Sequence, residues 1–278
     1  MNLKELLTEG KKKINNENED SVIILKILIE HVFKIKKEQI IVSYEKELND
    51  GDVQIFFSFI SKLNSGVPIQ YITNRQEFMK LNFYVDENVL IPQPDTEILV
   101  EEVIKYYKNK QCQALDLCTG SGAIGISIAK YIDNSRVIAS DISSKALQIA
   151  KLNAEKNLVH KKMQFIESDL FANIEERKFD IIVSNPPYIK TEEIKKLDKQ
   201  VQNEPHIALD GGNDGLFFYK IIADNAYKFL NKSGKLFLEI GFDQKDDVIK
   251  LLQSANVYKN IYSKKDLANN DRIIVAEI

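Results

Sequence analysis

Scarcity is the first property of this 278-residue sequence, which holds two cysteines, three histidines and six prolines. The cysteines, Cys112 and Cys118, are separated by five residues with no second pair, which argues against a disulfide framework and against a structural zinc site. Both are expected to be reduced thiols. His31, His160 and His206 are scattered without ligand spacing, so no metal site is expected. No apolar run approaches the roughly 18 residues of a membrane span; the strongest, Ser21 to Phe33, is broken by Lys26, Glu30 and His31. The first residues mix charges with leucines and lack a small-residue cleavage pattern, so they do not read as a secretory signal, and the cytoplasm is the expected location. Neither sign of charge is in excess, with 38 Lys+Arg against 41 Asp+Glu, and the segment 1–75 is itself balanced to zero. The chain as a whole therefore has no field to draw in a polyanion, and direct nucleic-acid binding is not expected.

A length above the common domain size of about 100 to 200 residues suggests a large unit and a small one. The segment 1–75 reads as a small helical bundle. In "DVQIFFSFISKL", Val53, Phe56, Phe57, Ile60 and Leu63 recur at helical spacing, with Asp52 as the expected cap and Gly66 as the stop. Residues 76–94 change to short β-like runs and read as a hairpin-like connector, closed by Pro92 and Pro94. From residue 95 to 278 strands and helices alternate. Strands are expected at "QALDL", "RVIASD", "KMQFIES", "FDIIVS", "GKLFLEI" and "RIIVAE". That rhythm predicts a largely parallel sheet covered by helices.

The first of these strands runs into "LDLCTGSGAIG". Gly120, Gly122 and Gly125 form a G-x-G-x-x-G at a strand-to-helix junction, and Asp141 follows about 20 residues on, where a ribose acid would stand. The glycines alone suit NAD and S-adenosylmethionine equally, since both need a tight turn and close backbone approach. Asp116, just before the turn, would repel a pyrophosphate and favour a sulfonium and an ammonium, so the cationic cofactor is the better fit. After the third strand, "SDLF" brings Asp169, Leu170 and Phe171 to the place of an adenine ring; for Phe171 ordinary core packing is the plain alternative.

Two of the six prolines are adjacent, in "SNPPYI", directly after the fourth strand. Ligands of open α/β sheets lie beyond the carboxyl ends of the strands, so Asn185, Pro186, Pro187 and Tyr188 would face the cofactor. Proline forces the residue before it into an extended conformation, which makes this exit from the sheet rigid. A planar nitrogen is a poor nucleophile because its lone pair is delocalised. The Asn185 side-chain oxygen and the Pro186 carbonyl can each accept one of its N–H groups, while the Tyr188 ring can stack on the planar group. A simple turn after a buried strand is the competing reading.

These segments resemble the glutamine methyltransferases that modify peptide chain release factors, the PrmC or HemK family. The likeness spans nearly the whole chain, through "PIQYITNRQEF", "FYVDENVLIPQPDTEILVE", "LDLCTGSGAIG", "SDLF", "SNPPYI", "EPHIALDGGNDGL", "LEIGFDQ" and "DRII". It implies a class I S-adenosylmethionine-dependent methyltransferase fold: a Rossmann-like, mostly parallel seven-stranded sheet with a small N-terminal helical domain that helps grip the substrate protein. It implies S-adenosyl-L-methionine as cofactor, class I release factors as partners, and the glutamine of their Gly-Gly-Gln tripeptide as target. The family's cofactor contacts fall on Cys118, Thr119, Gly120, Ser121, Gly122, Asp141, Leu170 and Asn185, and its substrate contacts on Asn185, Pro186, Pro187 and Tyr188. The family usually has glycine at Asn74, Lys80 and Cys118, arginine at Gln93, and often tryptophan at Leu170. A monomer is expected. The rivals are a DNA or RNA amino-methyltransferase using the same tetrapeptide, a non-catalytic cofactor-binding protein, and a nicotinamide oxidoreductase.

Overall fold

A computed structural model describes residues 1–15 and 20–278, and the chain divides into two compact units. The first comprises Met1–Asn74 together with Asp198–Asn203. Helix α1 (Leu3–Lys13) opens with a capping box: Asn2 Oδ1 accepts from the Glu5 N–H at 2.9 Å, and Glu5 Oε2 accepts from the Asn2 N–H at 3.0 Å. Lys11, Lys12 and Lys13 lie at its C-terminal end, where the helix dipole favours cations. Helices α2 (Asp20–Phe33) and α3 (Asp50–Asn64) pack with α1 around Leu6, Leu25, Leu28, Phe56 and Ile60. The cap of α3 is Asn49, which accepts from Gly51 and Asp52, and not Asp52 itself. A short α4 (Ile69–Thr73) ends at Asn74, which takes the left-handed φ of 51°.

The second unit is Arg75–Leu197 with Glu204–Ile278, so the hairpin expected as a connector is part of it, and residues 198–203, with the short α8 (Lys199–Gln202), belong to the helical unit. Strands β1 (Gln76–Phe78) and β2 (Leu81–Phe83) pair antiparallel across Met79 and Lys80, both with positive φ. Such a two-residue turn normally calls for glycine or asparagine. Helix α5 (Glu97–Tyr107) then leads into a seven-stranded sheet: β3 (Cys112–Leu117), β4 (Ser135–Asp141), β5 (Met163–Glu167), β6 (Phe179–Ser184), β7 (Leu230–Glu239), β8 (Lys259–Lys265) and β9 (Asp271–Glu277). The order is β5-β4-β3-β6-β7-β9-β8. Pairings from β5 to β7 are parallel, and β9 runs antiparallel to both β7 and β8.

Helices α6 (Ala123–Tyr131), α7 (Ser144–Lys156), α9 (Phe217–Asn225) and α10 (Lys245–Ser254) complete this unit. The chain goes from β3 outward to β4 and β5, then crosses to β6 on the other side of β3. That reversal opens a crevice at the carboxyl ends of β3, β4 and β6. The seventh strand, β8, was not among the six read from the sequence. It is an edge strand with Lys259, Lys264 and Lys265 and no buried residue, so it lacks the hydrophobic signature of the central strands. Buried Glu102 on α5 ties down this edge by pairing with Lys264 and accepting from the Tyr262 hydroxyl at 3.0 Å.

Candidate active site

The crevice is built first from the loop that follows β3. Cys118, Gly120 and Gly122 all take left-handed φ values, of 58°, 52° and 83°. This turns the Gly120 N–H toward the end of β4, where it donates to Asp141 Oδ2 at 2.8 Å, while the Ser143 N–H just past β4 donates to Asp141 Oδ1 at 2.9 Å. A Cβ built on Gly120 meets nothing within 4 Å, so the backbone there is open to a ligand. At Gly122 a Cβ would stand 2.8 Å from Ile126 and 3.1 Å from Ala150; that glycine serves helix packing.

Asp116 does not line the crevice, contrary to the expectation that it faces a cationic ligand. It is fully buried, and its Oδ2 accepts from the Thr119 hydroxyl at 2.5 Å and the Gly125 N–H at 2.9 Å. It braces the loop from below. Burial pushes its carboxyl up to about 7, against the opposing hydrogen bonds from Thr119 and Gly125. Its Oδ1 has no hydrogen-bond partner among the described residues.

A cavity of about 270 Å³ occupies the crevice. Of the residues singled out in the sequence, Cys118, Gly120, Asp141, Asp169, Leu170, Asn185 and Pro187 line it. Leu170 does so from another left-handed position, φ 45°, its carbonyl held by the Ser168 hydroxyl at 2.8 Å. Thr119, Ser121, Gly122, Phe171, Pro186 and Tyr188 are not in the lining. Thr119 holds Asp116, and the Ser121 carbonyl accepts from Asn153 at 2.9 Å. The Phe171 ring stacks on Phe229 with centroids 4.9 Å apart, which is core packing and not an adenine contact.

The sequence reading missed four parts of the wall. One is Asn88, Val89 and Leu90; the second is the stretch Pro205, Ile207 and Ala208; the third is the aromatic pair Phe217 and Phe218; the fourth is Ile142, Ser143 and Ala146, just past β4. Glu204 ties the first two together, because its Oε2 accepts from the Ile91 N–H at 2.8 Å. Burial pushes this carboxyl up to about 7. The other unassigned acids are also structural: Asp214 pairs with Lys220 at 2.5 Å, Glu97 accepts from the Met79 N–H at 2.6 Å, and Asp95 lies 3.2 Å from Arg272.

Asn185 leaves the end of β6 with its Nδ2 directed at Thr96 Oγ1, 3.4 Å away. Among the described residues no donor engages its Oδ1 or the Pro186 carbonyl. The tetrapeptide is held from behind by the segment "ALDGGNDGL". The Ile189 N–H donates to the Leu209 carbonyl at 3.0 Å and the Gly211 N–H to the Ile189 carbonyl at 2.8 Å. A Cβ on Gly211 would lie 2.7 Å from Tyr188 Cα, so only glycine permits this approach. Gln244 completes the support, its Nε2 donating to the Tyr188 carbonyl at 2.9 Å and the Gly215 carbonyl at 3.1 Å. Tyr188 itself is buried well enough that its hydroxyl is held protonated far above the usual phenol range. The residue as a whole is half-buried, packs against the hydrophobic core and is not in the cavity lining.

Comparison with known proteins agrees with this architecture. Residues 93–247 match the model of the methyltransferase small domain, and residues 5–73 match that of the PrmC N-terminal domain. A release factor glutamine methyltransferase of Clostridium acetobutylicum is 41% identical over 271 residues, covering 95% of this chain and 93% of the relative. The chain belongs to the release factor glutamine methyltransferase family. A second member, from Clostridium botulinum, is 39% identical over 281 residues, covering 99% of each chain. Among solved structures, a methyltransferase from Pyrococcus furiosus superposes with a TM-score of 0.53 at 19% identity, over 72% of this chain and 90% of that one, a likeness of fold.

The cofactor of this methyltransferase family is S-adenosyl-L-methionine, and the crevice suits it. Asp141 offers a carboxylate that lines the cavity and can accept from a ribose diol. Gly120 exposes bare backbone, and Ile142, Ala146 and Leu170 give an apolar wall for a flat ring.

Proposed function

We propose that Asn185 Oδ1 and the Pro186 carbonyl are the two acceptors that hold the substrate amide for methyl transfer. The enzyme methylates the side-chain amide nitrogen of the glutamine in the Gly-Gly-Gln motif of peptide chain release factors. The observation that carries the site assignment is that both acceptors are unengaged at the end of β6, beside a cavity shared with Cys118, Gly120, Asp141 and Leu170. S-adenosylmethionine, when bound, supplies an electrophilic methyl carbon. Asn185 and Pro186 each take one N–H of the amide, which turns the nitrogen's electron density out of the acceptor plane. No base is needed, because the methylated nitrogen sheds its proton readily. Alignment of this kind is worth up to about 7 to 11 kcal/mol. Stiffness is therefore the main demand on the tetrapeptide, and Gly211, Gly215 and Gln244 meet it.

In the same reading the partner is a class I release factor, the enzyme works as a monomer, and the cytoplasm is its setting, where the free thiols Cys112 and Cys118 would stay reduced. No described helix is long and apolar enough to cross a membrane. The test incubates the protein with labelled S-adenosylmethionine and, separately, release factor, DNA and ribosomal RNA. Label on the release factor glutamine is the expected result. Label on a nucleic-acid amino group would favour the rival substrate, and full activity of Asn185→Ala would refute the acceptor role.

A further inference from the structure

Glu239 ends β7, next to β6, and its side chain is 2% exposed. A carboxyl so buried normally has partners for both oxygens. Here Oε2 has none among the described residues. The groups that face it come from every neighbouring element. Thr96 and Asp95 precede α5, Asn185 and Tyr188 follow β6, Arg272 lies on β9, and the Tyr219 hydroxyl on α9 donates to the Glu239 carbonyl at 2.8 Å. Glu239 does not line the cavity, whereas Asn185 does. Any influence of Glu239 on a substrate must therefore pass through Asn185.

An asparagine amide has two nearly isosteric ends, one that donates and one that accepts. Only the oxygen can receive a substrate N–H. Thr96 cannot choose between the ends, since a hydroxyl both donates and accepts, and its 3.4 Å contact is long. An ionised carboxylate can only accept, so it draws Nδ2 and turns Oδ1 the other way.

We propose that Glu239 is a positioning residue that fixes the Asn185 amide with its oxygen toward the substrate and does so only when ionised. The inference rests on the acceptor role given to Asn185 above. Once protonated, Glu239 carries a hydroxyl that can donate to Oδ1, and the preference for one end is lost. Burial pushes Glu239 up to about 7, while Thr96, Arg272 and Asn185 draw it down and Asp95 raises it. Both facing tyrosines are held neutral across this range by burial. Activity that depends on ionised Glu239 is therefore present above about 7 and falls as pH drops through that value.

Three variants and one spectroscopic signal test this. The wild type should show kcat falling about tenfold per unit on the acid side of a midpoint near 7. Glu239→Gln presents both a donor and an acceptor, as the protonated acid does, so at pH 8 its kcat should fall about tenfold or more below wild type and that limb should flatten. Glu239→Ala should lose at least about tenfold in kcat at pH 8, with the KM for S-adenosylmethionine within about threefold. The Asn185 side-chain amide resonances, assigned by their loss in Asn185→Ala, should shift with pH through the same midpoint in the wild type and stay fixed in Glu239→Gln. Asp116 and Glu204 also titrate near 7, but neither touches Asn185, so their effects survive in Glu239→Gln. An unchanged profile in Glu239→Gln, or an Asn185 resonance that ignores pH, overturns the proposal. Should Glu239→Ala fail to fold, the Gln variant and the resonance decide it. Full activity of Asn185→Ala instead removes the underlying reading.

Discussion

The two sides of the cavity solve the same problem, fixing polar groups at the end of a parallel sheet, by opposite means. On the β3 and β4 side the backbone is bent into left-handed turns at Cys118, Gly120, Gly122 and, after β5, Leu170. Side-chain carboxylates then hold those turns, Asp141 from the cavity and Asp116 from beneath. On the β6 and β7 side the backbone is stretched by two prolines and held mainly by other backbone, with Gly211 and Gly215 allowing close contact and the Gln244 amide donating to the Tyr188 carbonyl. The first side keeps donors in a curved cradle; the second keeps acceptors in a straight exit. Strain is concentrated in the cradle, where two non-glycine residues occupy left-handed positions, each at a cost of about 1 to 2 kcal/mol.

This contrast predicts that variants on the two sides separate binding from turnover. The largest effect is expected from Asn185→Ala. It should lower kcat by about a hundredfold or more, comparable to losing one preorganised polar contact to the reacting group, while the Kd for S-adenosylmethionine by calorimetry stays within about threefold. Gly211→Ala should come next, because its Cβ would press on the Tyr188 backbone at 2.7 Å. A drop of about tenfold or more in kcat and a stability loss of about 1 to 3 kcal/mol are expected, read by kinetics and by denaturant unfolding. On the other side, Asp141→Asn should weaken cofactor binding by about 10- to 100-fold, through lost acceptance of ribose hydroxyls and of the Gly120 N–H. Its kcat at saturating cofactor should change far less. The smallest effect belongs to Cys118→Gly. Relief of the left-handed strain is offset by the entropy of a freer unfolded chain, so Tm should rise by only about 1 to 3 °C with cofactor affinity within about threefold.

The same contrast explains what the sequence disclosed. The glycine loop and the two prolines were legible because glycine and proline record backbone shape in residue type, and Asp141 because its distance from the loop places it at the end of the next strand. The central strands were legible for a similar reason, as continuous apolar runs such as "FDIIVS". Asp116 was misjudged because spacing places it near the turn without saying which way its side chain points. Phe171 had two readings, and Phe229, remote in the chain and beyond β6, decided for the core. The wall around Glu204 and the surroundings of buried Glu239 depend on side chains that meet across long stretches of chain; Glu204 and Ile91 stand 113 positions apart. Local periodicity carries no such information. Gln244 lay inside a quoted motif, yet its contact with Tyr188 becomes visible only when β6 and β7 are neighbours.

The most direct test of the central claim is a crystal structure of the enzyme with S-adenosylhomocysteine and a Gly-Gly-Gln peptide. The glutamine nitrogen should lie about 2.7 to 3.2 Å from both Asn185 Oδ1 and the Pro186 carbonyl, on the sulfur side of the cavity. A glutamine bound elsewhere, or an Asn185 whose nitrogen faces the substrate, would contradict the account.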